Sequence, residues 1–304
     1  MLIIQIAGGL GNQMQQYAMY RKLLKAGADR NIKLDIKWFD EDKQSGVLAK
    51  RKLELEYFTG LPLPVCSESE RARFTDRSVA RKVVEKLVPG MGSRFTESCM
   101  YHPEIFELKD KYIEGYFACQ KYYDDIMGEL QELFVFPTHS DEEINIKNMN
   151  LMNEMEMVPS VSVHIRRGDY LDPENAALFG NIATDAYYDS AMEYFKAIDP
   201  DTHFYIFTND PEYARAKYAD PGRYTIVDHN TGKYSLLDIQ LMSHCRGNIC
   251  ANSTFSFWGA RLNRRKDKIP VRTLVMRNNQ PVTPELMHEY WPGWVLVDKD
   301  GKVR

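Results

Sequence analysis

A chain of 304 residues has room for one large domain or two of ordinary size, and its 44% hydrophobic and 27% charged content is globular. The balance of 39 basic against 43 acidic residues, a net charge of -4, argues against a general surface for nucleic acid or anionic membrane. An anionic ligand must then be met by a local cluster. Five cysteines, Cys66, Cys99, Cys119, Cys245 and Cys250, are odd in number and lack paired metal-ligand spacing, so they read as free thiols of a reducing compartment.

Met1 to Ala7 is a short apolar run without a basic leader, read as neither a signal peptide nor a span, and no other run reaches spanning length. Leu2 to Ile6 predicts a strand. The turn Gly8-Gly9-Leu10-Gly11-Asn12-Gln13 leads from it into a helix over about 13–26. The turn is not a dinucleotide fingerprint, lacking the third glycine, nor a P-loop, because no Gly-Lys-Ser/Thr follows. It offers backbone N–H groups at a helix amino end, together with the amides of Asn12 and Gln13; a plain strand-to-helix turn fits the residues equally. Ile32, Leu34, Ile36 and Trp38 alternate with Lys33, Asp35 and Lys37 as a half-solvated strand would, which completes a βαβ start. Residues 40–52 predict a loop, 67–88 mainly helix, 112–117 a strand, and 122–134 a helix that stops before Pro137. The methionine-rich stretch 141–157 predicts either a further helix or a connector between domains.

After Val158-Pro159 the rhythm becomes regular. Strands over 160–166, 203–208, 224–228, 248–252 and 270–276 alternate with helices over about 184–198, 211–219, 235–246 and 255–263, a parallel doubly wound sheet. His164-Ile165-Arg166-Arg167-Gly168-Asp169-Tyr170 then falls at the carboxyl end of a strand, where open α/β sheets bind ligands. Arginine is the side chain best shaped to grip phosphate. A surface Arg-Asp pair is the bland alternative. Asp210 ends the next strand and, before Pro211, also suits a helix cap. Asp238 on helical periodicity alone is an exposed helix residue. Ser253 and Thr254 put hydroxyls at a helix amino end, which favours an anion. Phe255, Phe257 and Trp258 read as core.

The His-Ile-Arg-Arg-Gly-Asp-Tyr stretch, the Gly8 to Gln13 turn and Asn252-Ser253-Thr254-Phe255-Ser256-Phe257-Trp258-Gly259-Ala260 occur in the order seen in the α-1,2-fucosyltransferases of glycosyltransferase family 11, which the chain resembles. The resemblance implies an α/β, GT-B-like fold of two Rossmann-like domains facing across a cleft: 1–157 on the acceptor side, 158–304 binding GDP-fucose. It implies transfer of L-fucose from GDP-β-L-fucose to the 2-hydroxyl of a terminal β-galactoside, with inversion. Asn12, Gln13, His164, Arg166, Asp210, Asp238, Ser253 and Thr254 would bind the donor. Asp238 would take the guanine edge and Arg166 would steady the departing diphosphate. Asp169 or Glu174 would accept the proton. Asp-Glu-Asp at 40–42, Asp-Pro-Asp at 199–201 and Asp-Lys-Asp at 298–300 fall in predicted loops or the tail, so no metal or other cofactor is expected. A cytoplasmic bacterial enzyme, or one peripheral at the membrane's inner face, acting on an oligosaccharide or glycolipid is the expected context. A transferase using another phosphorylated donor, or a binding module without catalysis, is the alternative.

Overall fold

The structure, a computed structural model, describes residues 1–27, 31–44, 50–75, 93–98 and 100–304. The chain forms two compact units, Met1–Val135 and Phe136–Arg304.

In the first unit, β1 (Leu2–Gln5), α1 (Leu10–Ala26), β2 (Ile32–Asp35), α2 (Glu68–Thr75), β3 (Arg94–Thr96), β4 (Lys111–Glu114) and α3 (Met127–Leu133) follow in order. The strands form a parallel sheet in the order β2-β1-β4-β3. Leu2, Ile3 and Ile4 are all buried, the continuous apolar run of a parallel strand covered on both faces. Gly8 has φ +80°, and a Cβ there would stand 2.7 Å from the Asn12 amide nitrogen, so the turn needs glycine. Its consequence is a helix that starts at Leu10, earlier than the periodicity predicts.

Two expectations for this half are corrected, and a third is met as far as the described residues reach. The alternating stretch does not stay extended to Trp38. β2 ends at Asp35, whose buried carboxylate accepts the Tyr112 hydroxyl at 2.6 Å and the Lys37 N–H at 3.0 Å, turning the chain into a 3-10 turn at Lys37–Phe39. Of the helix predicted over 67–88, α2 accounts for Glu68–Thr75; residues 76–88 lie outside the described residues. The helix predicted over 122–134 is broken into 3-10 turns at Gln120–Tyr122 and Asp124–Ile126 before α3.

The second unit runs α4 (Glu142–Met157), β5 (Ser160–Ile165), α5 (Pro173–Phe179), α6 (Asp185–Ile198), β6 (His203–Thr208), α7 (Pro211–Lys217), β7 (Tyr224–Val227), α8 (Leu237–His244), β8 (Gly247–Cys250), α9 (Thr254–Leu262), β9 (Ile269–Thr273), α10 (Pro284–Tyr290) and β10 (Val295–Val297). The parallel sheet has the order β10-β9-β8-β5-β6-β7. Read from β5, the chain fills one side with β6 and β7, then crosses to the other with β8, β9 and β10. The topological switch point therefore lies between β5 and β8. Val161, Val163 and Ile165 point into a core shared with Tyr187, Ala191 and Phe195 of α6 and Phe204 and Ile206 of β6.

The methionine-rich stretch is helix. Asp141 caps α4 by accepting the N–H groups of Glu143 and Ile144, and Asn148, Leu151 and Met155 are buried. Tyr205 of β6 donates to Glu154 at 2.7 Å, and Asn148 bonds Asn230 at 2.8 Å. These contacts explain why α4 is counted with the second unit, which begins at Phe136 rather than at the composition change near 158. Both halves are Rossmann-like α/β units in series, as a GT-B-like chain requires.

Candidate functional site

Arg166 leaves the end of β5, and the segment Ala251 to Thr254 leaves the end of β8. These strands are hydrogen-bonded neighbours, with Val161 opposite Gly247 and Val163 opposite Ile249, so the two segments emerge on either side of the switch point. The junction is tied together. The Tyr170 hydroxyl donates to the Asn252 carbonyl at 3.1 Å, and the Asn252 amide donates to Phe179 at 3.0 Å and Met276 at 3.1 Å. The partly exposed guanidinium of Arg166 lies 5.7 Å from the centre of the Tyr170 ring, within cation–π range. Ser253 is the N-cap of α9, yet its hydroxyl makes no hydrogen bond to the helix. Thr254 opens the helix, and both residues are partly exposed.

Arg167 does other work. Its Nε donates to Asp210 at 3.1 Å, its guanidinium lies 3.8 Å from the Tyr213 ring centre, and its backbone N–H donates to Asn209 Oδ1 at 2.9 Å. A Cβ on Gly168 would stand 2.1 Å from the Asn209 amide nitrogen, so glycine lets the chain turn under that side chain. Asp210 also accepts the Tyr213 N–H at 3.2 Å and caps α7, with Pro211 in the first turn. Each of its oxygens accepts one of these bonds, so Asp210 holds Arg167 in place and caps α7.

His164 is 5% exposed, and its Nδ1 is buried without a hydrogen-bond partner among the described residues. Burial, with Arg166 adding to it, pushes its pKa down to about 3, so the ring is neutral near pH 7 and can seat a ligand only by hydrogen bonding or stacking. Phe255 is not core: it is partly exposed and tilts against His164 with ring centres 5.6 Å apart. Phe257 and Trp258 are fully buried.

Asp238 is half-buried rather than exposed. Burial, with Asp228 adding to it, pushes its carboxyl up to about 7 against the pull of a 2.9 Å hydrogen bond from the Asn230 amide. Asn230 is paired with Asn148 through both amides, at 2.8 and 3.1 Å, and His229 Nε2 lies 2.7 Å from the Asn148 carbonyl oxygen. The Asp238 Oδ1 thus accepts one bond from Asn230, which orients the carboxylate. Asn230 and Asn148 escaped sequence reasoning. The signal was present, because Asp228-His229-Asn230 follows a strand at the edge that singled out Arg166.

Asp169 lies in the 3-10 turn Gly168–Leu171 and Glu174 in α5, but their side chains are outside the described residues. Asn12 is partly exposed over the Gly8 turn. Gln13 corrects the reading of a donor amide. It is fully buried, its Nε2 donates to the carbonyls of Gly8 and Lys52 at 2.9 Å each, and its Oε1 accepts the N–H groups of Glu54 at 2.8 Å and Leu55 at 3.3 Å. Every hydrogen-bonding position of that amide is used inside the protein. Asp298 accepts from the N–H groups of Asp300 and Lys302 and from Arg304. Cys66, Cys119, Cys245 and Cys250 are in no disulfide; Cys99 lies outside the described residues. Among the described residues no helix is long and apolar enough to cross a membrane.

A guanidinium and a helix amino end flanking a switch point, with a carboxylate further along the same edge, suit a ligand that is anionic at one end and offers N–H groups at the other. Residues 99–298 match the model of glycosyl transferase family 11. The chain is similar to the O-antigen biosynthesis glycosyltransferase WbnK of Escherichia coli, 28% identical over 88% of this chain and 91% of that one. It is 30% identical to an α-1,2-colitosyltransferase of Escherichia coli over 85% of this chain and 86% of the relative. With galactoside α-(1,2)-fucosyltransferase 2 of Oryctolagus cuniculus it shares 23% identity over 86% of this chain and 67% of the other. The protein is a glycosyltransferase, and it belongs to glycosyl transferase family 11.

Proposed function

We propose that the protein transfers L-fucose from GDP-β-L-fucose to the 2-hydroxyl of a terminal β-galactoside, with inversion at the anomeric carbon. The observation that carries the reading is that Arg166 and the start of α9 follow the ends of the two neighbouring strands that flank the switch point of the second sheet. As the C1–O bond breaks, negative charge grows on the β-phosphate. A fixed guanidinium and helix N–H groups stabilise that charge more in the transition state than in the ground state. Asp238 accepts from the two N–H groups of guanine's Watson–Crick edge, which adenine and uracil do not present. Asp169 or Glu174 takes the acceptor proton, and no metal is required. The enzyme works in the cytoplasm, free or at the inner face of a bacterial membrane, on an oligosaccharide or a glycolipid.

Relatives named for α-1,2 transfer of two different sugars, fucose and colitose, favour one second reading: the same site moving colitose. Incubating the enzyme with GDP-fucose or a colitose donor and a panel of β-galactosides, with the products' linkage read by NMR, decides between them. An α-1,2-fucosylated product is expected. Transfer from the colitose donor alone replaces fucose with colitose, and no transfer from either donor ends both readings.

A further inference from the structure

At the carboxyl end of β2 the first unit contains a cavity of about 290 Å³, near the lower end of the roughly 300–1,000 Å³ usual for small-molecule sites. Asp35, Lys37, Phe39 and Asp40 line it from the end of β2, and Glu68 and Arg71 from α2. Lys37 pairs with Asp40 at 3.1 Å, and Arg71 pairs with Glu68. With both cations engaged and three carboxylates against two cations, the wall repels a phosphate. Among the described residues no group of three or more His, Cys, Asp or Glu stands where it would hold a metal ion.

Two groups in the wall retain hydrogen-bonding capacity. The Asp35 carboxylate accepts one bond at each oxygen, from Tyr112 and Lys37, and a carboxylate has about four acceptor positions. The Arg71 Nε–H is buried without a partner among the described residues, an uncommon state for a donor. Asp35 lies close enough to act on both neighbours: its charge helps raise the pKa of Cys66, which burial first pushes up to about 11, and contributes to the upward shift of Arg71. A carboxylate after the second strand of a βαβ unit is also where dinucleotide folds hold the hydroxyls of a ribose. Here the phosphate-binding glycine pattern is incomplete and the carboxylate remains.

We propose that this cavity seats a neutral hexose ring, whose vicinal hydroxyls donate to Asp35 and whose oxygens accept from Arg71, with Phe39 against its C–H face, and that this ring belongs to the acceptor glycan. Only the last step rests on the transfer reading above; the affinity for a sugar does not. Saturation-transfer NMR on the full chain with methyl β-galactoside, without nucleotide, tests it. The unmodified protein should give a signal that Arg71→Met and Val65→Trp, which fills the cavity from its own wall, each reduce at least fivefold. In transfer assays both should raise the acceptor KM at least tenfold with the donor KM within twofold. Bound galactoside should also slow alkylation of Cys66 in the unmodified chain, read by peptide mapping, which keeps the test independent of either variant's folding. An unmodified protein without signal, or signal and acceptor KM unchanged in both variants, overturns the proposal. A sugar signal lost in both variants from an enzyme that fucosylates no galactoside removes the transfer reading and leaves the sugar site standing.

Discussion

Arg166 places a fixed positive charge beside the junction of β5 and β8, and its worth is measured by removing it. Arg166→Ala should lower kcat about 10²- to 10³-fold, the range for deleting one transition-state charge stabiliser. Steady-state kinetics with GDP-fucose check this, and normal turnover would take Arg166 out of its role. Asp238 predicts a pH dependence of donor recognition. Its folded pKa is raised to about 7, so the neutral form, which cannot accept both guanine N–H groups, persists up to neutrality. Recognition therefore improves as pH rises through 7, and the KM for GDP-fucose should climb about tenfold for each unit below it. His164, held neutral, does not contribute over that range. Asn230→Ala removes the hydrogen bond that favours the charged form, so the midpoint should move to higher pH, while Asp238→Asn should flatten the profile. At this scale the sequence revealed which residue types stand at the strand ends. It did not reveal their commitments: nothing in the local pattern says that the Gln13 amide is spent inside the protein or that Asp210 holds Arg167.

Elements were legible where packing enforces a period. In the second unit the inner strands β5, β6 and β8 are buried along most of their length and helices return over the sheet between strands, so apolar runs alternate with amphipathic ones and the bounds of the predicted elements were legible to within a few residues, while α5 and α10 were not. β10 is short and follows a turn-rich tail, which hid it. In the first unit polar side chains decide the geometry. Asp35 ends β2 by bonding Tyr112, a residue 77 positions away, and no local pattern announces that. Gln13 does the same for α1, joining it to the 52–55 segment. Gln13→Leu leaves two carbonyls and two N–H groups without those partners, and unfolding by denaturant should show a loss of about 2–4 kcal/mol, with the donor KM unchanged in the folded fraction. Gly168→Ala forces a methyl group into Asn209, which also holds the Arg167 N–H. A loss of about 1–3 kcal/mol is expected, accompanied by a lower kcat because the turn carrying Arg166 shifts.

Across the whole chain, the region that matches the family model, 99–298, contains the second and third motifs, while the glycine turn near the start lies outside it. Chemistry was therefore most legible where the regular sheet is. If the cationic grip suffices for the leaving diphosphate, dialysis against EDTA should leave the transfer rate within a factor of two; abolition restored by a divalent ion would overturn that view. The Asn148–Asn230 pair has a practical corollary for dissection of the molecule. Cutting at the composition change near residue 158 would strip away α4, orphan the amide that steadies Asp238, and bare the surface that Leu151 and Met155 cover. A fragment meant to retain nucleotide recognition should instead begin at the 135/136 boundary, keeping this helix as a brace.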